Sequence, residues 1–500
     1  MKTCIPKSLL PVLMTGMCLL LAGQLSAQTF SVLHAFSQTA TNNQGYGYYT
    51  NSDGTFPEAG LVSSGNILYG TTVYGTTGGW GTVFSVNKDG TGFTNIYNFT
   101  PPSGPYITNS DGAFPATRLL LSGTTLYGTT ENGGSSGDGT IFAISLNDLT
   151  FTNLHTFNYS DGATPLELIF LTGNTLGGTT SRGGNPGWGT IFKINTDGSG
   201  FTNIYNFTAP SGPQSTNDDG TYPNSGLILL NNSLYGTAGY GGKFGYGTVF
   251  KVNTNGMLFQ TLHSFTALTG PYSSTNADGA EPNAGLVLSG NTLYGTASEG
   301  GVWGHGTVFA VNTDGLGFTN LHSFNGYPPE GGVPLCRLIL FSNILYGTTF
   351  YGGNFGVGTV FAINTDGTGL TNLSDFSEQA DVSPFTNTDG ASPFAGLIFS
   401  PSEDTLYGTA NTGGASGAGT VFSLTLPPPP LTIALSGTNV VLTWPPSAPG
   451  ANYAGFVLQG TTNLALPVWN NVDGPSPRTN AVSGPQMFYQ LKQEVKEMPF

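Results

Sequence analysis

One short phrase recurs seven times along this chain and constrains its fold more than any other feature. Leu-Tyr-Gly-Thr, or a close variant, is followed thirteen residues later by Gly-Thr-Val/Ile-Phe. The copies begin at Leu68, Leu126, Leu176, Leu234, Leu293, Leu345 and Leu406. Successive copies are 50 to 61 residues apart, enough for one four-stranded sheet with loops. Because a single sheet cannot bury both faces, the copies must pack on one another.

Each copy contains four short β-type segments and no long amphipathic helix pattern. The segments are a small apolar stretch such as Gly60 to Val62, the two recurring phrases, and Phe-x-x-Leu/Ile-His/Tyr-x-Phe. An Asn-x-Asp-Gly turn, as at Asn195 to Gly198, joins the third and fourth segments. The chain begins with a fourth segment, Phe30 to Phe36, whereas its seventh copy lacks one. We therefore predict an all-β fold, a seven-bladed β-propeller closed by the two ends of the repeat region.

These phrases, together with Asp-Gly-x-x-Pro, resemble the GloVer tandem repeat of secreted bacterial proteins over roughly residues 30 to 426. The strand order is similar to that of kelch repeats in layout only. Copy three departs from the pattern with Leu176-Gly177-Gly178, and copy six has Glu330 in place of Asp. The resemblance implies an exported, surface-associated propeller, but it implies no established activity, so function must be argued from the residues.

The two ends of the chain differ in composition from the repeats. Lys2 and Lys7 precede an apolar stretch and Leu25-Ser26-Ala27, which predicts a signal peptide over residues 1–27; a membrane anchor is the alternative. We expect the propeller over 28–426, a rigid proline linker over 427–430 and a small β-sandwich-like module over 431–500. The mature chain is expected to have no transmembrane helix and to be a monomer, secreted or held at the cell surface.

Charge argues against several classes of partner. Asp and Glu outnumber Lys and Arg 27 to 12, and charged residues make up only 8% of the chain. Because nucleic-acid binding depends on clustered basic residues, we expect no nucleic-acid partner. Among the three cysteines, Cys336 alone would remain after signal cleavage, and we expect it to be buried and inert.

Aromatic residues punctuate the glycine-rich loops between the second and third segments. Glycine-framed aromatic rings suit stacking against sugars, because the flanking backbone can approach a ligand closely. The alternative is that these rings cap the gaps between neighbouring sheets. The candidate ligand-binding aromatics are Trp80, Trp188, Tyr240, Tyr246, Trp303, His305 and Tyr351.

Three charged residues interrupt the otherwise small and apolar entry to the first segment. Arg118 and Arg337 replace a glycine, and Glu167 occupies the neighbouring place in copy three. If this segment lines a central channel, the charges could bind an anionic ligand or serve catalysis; exposed rim charges without a role are the alternative.

Metal and phosphate chemistry are not expected. Histidine alternates with tyrosine at one position of the fourth segment, as in His34 and Tyr97, which indicates packing and hydrogen bonding. Asp-Gly-x-x-Pro lacks the trailing carboxylate of a calcium loop and is typical of a turn. We therefore assign no metal site, no cofactor and no catalytic residue.

The leading hypothesis is an exported, non-enzymatic propeller that binds a glycan or a surface protein on its loops. A polysaccharide hydrolase or lyase is the alternative, and it would need paired carboxylates near the axis. A purely structural envelope protein is the third hypothesis.

Overall fold

The structure is a computed structural model that describes residues 28–41, 49–76, 78–103, 107–269, 274–400 and 404–427, together with the backbone of eight short strands between 432 and 493. The predicted signal peptide, most of the proline linker and the side chains of the C-terminal module lie outside the described residues. Within the described ranges the chain is all-β. No helix there is long and apolar enough to cross a membrane.

Seven antiparallel sheets, which we call blades 1 to 7, carry the seven copies of the repeat. Blades 1 to 3 consist of Val62–Ser64, Ile67–Thr72, Thr82–Asn87 and Thr94–Asn98; of Leu120–Ser122, Thr125–Thr130, Thr140–Ser145 and Phe151–Thr156; and of Ile169–Thr172, Thr175–Arg182, Thr190–Asn195 and Thr202–Asn206. Blades 4 to 6 consist of Ile228–Leu230, Ser233–Ala238, Thr248–Asn253 and Gln260–Ser264; of Val287–Ser289, Thr292–Ala297, Thr307–Asn312 and Thr319–Ser323; and of Ile339–Phe341, Ile344–Thr349, Thr359–Asn364 and Thr371–Asp375. The first strand of blade 1 begins at Val62, two residues later than predicted.

Blade 7 joins the two ends of the repeat region. It comprises Ile398–Ser400, Thr405–Ala410, Thr420–Thr425 and the N-terminal strand Thr29–Ala35. In the ladder Thr29 is opposite Thr425, and Ala35 is opposite Thr420. The predicted closed seven-bladed propeller is confirmed, and closure pairs strand edges that would otherwise be exposed.

The two recurring phrases form the second and third strands of each blade. Gly70 lies directly opposite Phe84 in the ladder, and a β-carbon at Gly70 would be 2.6 Å from the Phe84 ring. Leu68 and Val86 are paired on the same two strands and are fully buried. Each blade thus contributes a leucine, a ring and a β-branched side chain to apolar clusters shared with its neighbours.

Neighbouring blades are joined at two recurring positions. The first threonine after Leu-Tyr-Gly donates across the gap to a carbonyl of the next blade, as Thr237 does to Ala284 at 3.0 Å. The glycine of Gly-Thr-Val-Phe has a positive φ, and the proline ring of the next blade packs against it, as Pro57 does against Gly419. Asp-Gly-x-x-Pro and Gly-Thr-Val-Phe are therefore two halves of one inter-blade joint.

Replacing Thr237 by valine is expected to lower the free energy of unfolding by about 1–2 kcal/mol, because the buried carbonyl of Ala284 would lose its donor. Thr71 is the matched control, because it occupies the same position in blade 1 and its buried hydroxyl has no partner among the described residues. Thr71→Val is expected to be neutral or stabilising. Urea denaturation of both variants tests this; equal losses would contradict it.

Several short elements complete the fold. Ala40–Thr41 pairs with Tyr49–Thr50, and Gly331–Gly332 pairs with Tyr351–Gly352. Ala163–Pro165 adds a fifth strand to blade 3. The C-terminal strands are Thr432–Ser436, Asn439–Thr443, Ser447–Ala448, Ala451–Asn452, Phe456–Thr461, Asn470–Asn471, Arg478–Ala481 and Phe488–Gln493. They form two three-stranded sheets and a hairpin.

Candidate functional site

One face of the propeller gathers the loops between second and third strands and those between successive blades. Short bridges tie the two kinds of loop together, as between Thr55 and Tyr74, Ala113 and Asn132, or Thr221 and Tyr240. We call this surface the loop face. A cavity of about 660 Å³ at the axis is lined by residues from all seven blades.

Arg118, Glu167 and Arg337 meet inside this cavity. Arg118 Nε donates to Glu167 Oε1 at 2.6 Å, and Arg337 Nη1 donates to the same oxygen at 3.1 Å. The three residues come from blades 2, 3 and 6, so the bridge crosses the axis. The Glu167 side chain is only 14% exposed. Burial raises its pKa, but the two guanidinium groups outweigh burial and hold the pKa below its usual value.

The position that Arg118, Glu167 and Arg337 occupy in blades 2, 3 and 6 is a glycine in the other four blades. Each of these seven residues directly precedes a buried leucine. Glu167 therefore occupies the same position as the two arginines, and not the neighbouring position that we predicted. The sequence misled here because copy three is one residue shorter after Pro165. A β-carbon at Gly285 would lie 3.2 Å from Arg337 Cδ, and one at Gly60 would lie 3.3 Å from Arg118 Cδ. The glycines Gly60, Gly226, Gly285 and Gly396 therefore leave room for the three long side chains.

Two further carboxyl groups, Glu58 and Glu131, line the loop-face end of the cavity. Burial, repulsion from Glu131 and a weaker opposing hydrogen bond from Asn411 together raise the pKa of Glu58 to about 7. Burial also raises the pKa of Glu131, although Arg182 opposes this. The arrangement places a group that titrates near neutrality at the entrance to a cationic centre.

The loop aromatics fall into two groups. Trp80 is 8% exposed and its ring centroid is 5.1 Å from that of Phe114 in the next blade. Trp188 meets Tyr222 of the next blade edge-on at 5.5 Å, and Tyr246 packs against the core between blades 4 and 5. These three rings pack in gaps between blades, the alternative weighed from the sequence; Trp80 is buried there, and Trp188 and Tyr246 are half-buried.

His305 occupies the same position in blade 5. Its carbonyl accepts from Val333 N at 2.8 Å, and its ring lies 6.3 Å from that of Tyr327. The equivalent carbonyl of Trp80 accepts from Phe114 N at 3.1 Å. This loop position therefore joins neighbouring blades whatever its side chain.

Exposed rings instead concentrate over blades 4 to 6 and the loops that follow them. Tyr240 and Phe394 line the cavity. Phe350 links Phe394 to Tyr351, with centroid separations of 6.2 Å and 4.6 Å. We call this surface the aromatic sector; its members, with exposure, are Tyr240 (40%), Trp303 (59%), Tyr327 (68%), Tyr351 (54%), Phe355 (50%), Phe385 (52%) and Phe394 (39%).

Blades 1 to 3 lack such a surface in the part of the chain that the structure describes. Tyr159, 57% exposed, is the only comparably exposed ring on their loops there. Among the residues that the structure describes, the exposed rings of the loop face therefore lie on one side of the axis, and Tyr240 and Phe394 extend that side into the cavity.

The recurring histidines and aspartates are structural. His34 Nε2 lies 2.9 Å from Asp53 Oδ2, and Tyr97 donates to Asp111 at the equivalent place, also at 2.9 Å. The His34 ring stacks on Phe93 with a centroid separation of 3.6 Å. These contacts confirm the packing and hydrogen-bonding interpretation. Among the described residues, no three His, Cys, Asp or Glu side chains are grouped to hold a metal.

Cys336 is 1% exposed and burial raises its pKa. Its sulfur accepts from Thr348 N at 3.0 Å and donates to the Thr348 carbonyl at 3.3 Å. The thiol therefore stands where Thr117 and Ser225 place hydroxyl groups in other blades. This agrees with the expectation of a buried, inert cysteine.

Sequence reasoning missed Glu58, Glu131 and Phe394 as cavity residues. Glu131 directly follows Leu-Tyr-Gly-Thr-Thr, where the other copies have Val73, Ser181, Gly239, Ser298, Phe350 and Asn411. A comparison of copies at this position would have shown a lone carboxylate. It would not have shown that Glu58, from the loop that precedes blade 1, lies close enough to interact with it.

Several solved structures are similar to this chain at low sequence identity. An oligogalacturonate lyase from Vibrio parahaemolyticus has a TM-score of 0.42 and 10% identity, covering 80% of this chain and 97% of that chain. A candidate 6-phosphogluconolactonase from Bacteroides uniformis has a TM-score of 0.43 and 13% identity, covering 85% and 98%. No curated protein matches the sequence.

The family comparison is more specific. The model of the Gloeobacter/Verrucomicrobia repeat matches residues 22–216 and 271–465. These two spans contain the recurring phrases of most copies and together cover more than half of the sequence. The chain therefore belongs to the Gloeobacter/Verrucomicrobia repeat family.

Proposed function

We propose that this protein is an exported, non-enzymatic propeller that binds a glycan through the aromatic sector and the adjoining end of the central cavity. The supporting observation is the one-sided distribution of exposed rings among the residues that the structure describes. Apolar rings whose faces reach solvent suit sugar rings, which stack on them through their C–H groups. A protein partner at the cell surface would use the same exposed rings.

The position of the aromatic sector beside a cavity also favours a small extended ligand. Binding sites are concave and combine aromatic walls with a few polar groups. Tyr240 supplies such a group, because its hydroxyl donates to Glu281 at 2.9 Å. Burial and the carboxylates of Glu281 and Glu299 raise the pKa of Tyr240 to about 12, so the hydroxyl stays protonated under ordinary conditions.

A glycan array probed with the chain lacking residues 1–27 tests the proposal. Trp303→Ala with Tyr351→Ala is expected to weaken binding of any bound glycan about 5- to 100-fold, since an aromatic contact contributes about 0.5–1.5 kcal/mol beyond area burial. Tyr159→Ala is the matched control, because this ring is equally exposed but lies outside the aromatic sector. An array without any binder, or equal losses in both variants, would contradict the proposal.

The paired carboxyl groups of Glu58 and Glu131 support a second candidate, a polysaccharide hydrolase or lyase. A carboxyl group with a pKa near 7 can serve as a general acid or base. Release of new reducing ends from a bound polysaccharide, abolished in Glu58→Gln, would favour this candidate. The absence of both binding and turnover would favour a structural envelope protein instead.

A further inference from the structure

The guanidinium groups in the cavity keep most of their hydrogen-bonding capacity. Arg118 and Arg337 each direct one nitrogen to Glu167 Oε1, and neither makes another hydrogen bond to a described residue. A guanidinium donates through every one of its nitrogens. Both arginines line the cavity, so their remaining N–H groups are available to a molecule inside it.

The charge of this centre is also incompletely balanced. Two cationic side chains share one carboxylate, and burial lowers the pKa of Arg337 even though Glu167 opposes this. A cation that is partly removed from solvent and lacks a full partner is costly, and an added anion would compensate it. The centre therefore favours a ligand with an anionic, planar acceptor group.

The entrance limits how much negative charge the ligand can carry. The ionisable groups around the cavity are Glu58, Glu131, Glu167, Tyr240, Arg118 and Arg337. Glu58 and Glu131 at the loop-face end repel a dianion more strongly than a monoanion. A ligand with a single carboxylate is attracted by the two arginines and is repelled by Glu58 and Glu131 less than a phosphate or a sulfated chain would be.

We propose that Arg118 and Arg337 form a site for one carboxylate, carried by an acidic sugar that enters from the loop face. The cavity volume of about 660 Å³ is in the range of small-molecule sites. The carboxylate of the sugar would point inward to the two arginines, while Tyr240 and Phe394 would contact the outer part of the sugar ring. This rests on the proposed glycan-binding function, of which it specifies the ligand class.

Glucuronate and glucose make a matched pair of probes, since they differ only at the C6 carboxylate. Isothermal titration calorimetry of the propeller-containing chain at pH 6 is expected to show glucuronate binding at least about tenfold more tightly than glucose, the effect of one charge-assisted contact. Inorganic phosphate is expected to bind more weakly than glucuronate at pH 7.5. Equal binding of the two sugars, or tighter binding of phosphate, would overturn the inference.

Variants at the bridge are expected to act in opposite directions. Arg337→Gln should weaken glucuronate binding at least about tenfold, whereas Glu167→Gln should strengthen it, because the internal competitor for the guanidinium donors is gone. Lys243→Gln is the control, since it removes a cation from the exposed loop face outside the cavity and should change binding less than about twofold. If the bridge has only a structural role, glucuronate binding should instead be weakened or unchanged in both Arg337→Gln and Glu167→Gln.

Circular dichroism and thermal melting establish that each variant is folded. If Arg337→Gln fails to fold, Glu167→Gln and the sugar comparison on the unchanged chain decide the matter. Loss of carboxylate preference with retained dependence on Trp303 and Tyr351 would reject this inference alone. Glucuronate binding on a chain with no response to the aromatic variants would reject the aromatic glycan-binding site and keep the carboxylate site.

Discussion

Replacing Gly419 by alanine is expected to lower the free energy of unfolding by about 3–5 kcal/mol. The residue has a φ of +97°, and an added β-carbon would lie 2.5 Å from Pro57 Cδ and 2.7 Å from the Ala410 carbonyl oxygen. Left-handed strain costs about 1–3 kcal/mol and overpacking a similar amount. Neither the proline ring nor the backbone carbonyl can rotate away, and this joint is the one that closes the ring.

Gly65→Ala is the matched control for this prediction. Gly65 also has a positive φ, of +55°, but a β-carbon there would meet nothing within 4 Å. We expect it to cost about 1 kcal/mol, from conformational strain alone. Urea denaturation followed by tryptophan fluorescence compares the two variants. Equal destabilisation would show that the joint between blades 7 and 1 is not closely packed.

Stability is expected to fall as pH rises from about 5 to 8, and Glu58→Gln should remove much of this dependence. The pKa of Glu58 is raised from 4.5 to about 7 by burial and by Glu131. Between these values the folded protein keeps a proton that the unfolded chain has released, so stability decreases as pH rises through this window. Allowing for partial solvation, the loss at pH 8 is about 2–3 kcal/mol.

Other carboxyl groups shape the rest of the profile. Burial raises the pKa of Asp404 to about 6, which adds to the loss in the same direction. Asp53 and Asp278 have lowered pKa values, because hydrogen bonds from His34 and His263 and their neighbours outweigh burial. Their contribution is present above the unfolded pKa and is lost as pH falls below about 4. Stability should therefore be greatest near pH 5.

Thermal melting of the unchanged chain and of Glu58→Gln between pH 5 and pH 8.5 measures the effect. The variant should match the parent near pH 5 and exceed it above pH 7. Glu378→Gln is the control, because this carboxylate is exposed and its removal should leave the profile unchanged. A Glu58→Gln profile parallel to that of the parent would contradict the assigned environment of Glu58.

Most of the fold could be predicted because its determinants are local and repeated. The ladder between Gly70 and Phe84 involves neighbouring strands, so the alternation of small and large residues is visible within one copy. The unmatched segment at Phe30 to Phe36 likewise predicted ring closure by simple comparison of the two ends. The start of the first strand was less predictable, because the residues before Val62 line the cavity instead of pairing.

The candidate site was harder to predict because its contacts join different copies. The sequence singled out Arg118, Glu167 and Arg337 by their charge, but the last two are 170 residues apart and meet only across the axis. Whether an aromatic ring in these loops is exposed or buried depends on which residue of the next blade packs against it. Trp80 is buried because Phe114 of the next blade packs against it, whereas Trp303 has no such aromatic contact among the described residues and is 59% exposed.

The sequence by itself determined the number of blades and the strand order, since both follow from a pattern repeated along the chain. Only the tertiary structure decided how neighbouring blades are joined, on which side of the loop face the described exposed rings lie, and which charges share the cavity. The physical reason is that ring closure brings one position from every blade to a common axis. Side chains that no local pattern relates, such as Glu58 and Glu131, then act on one another at short range.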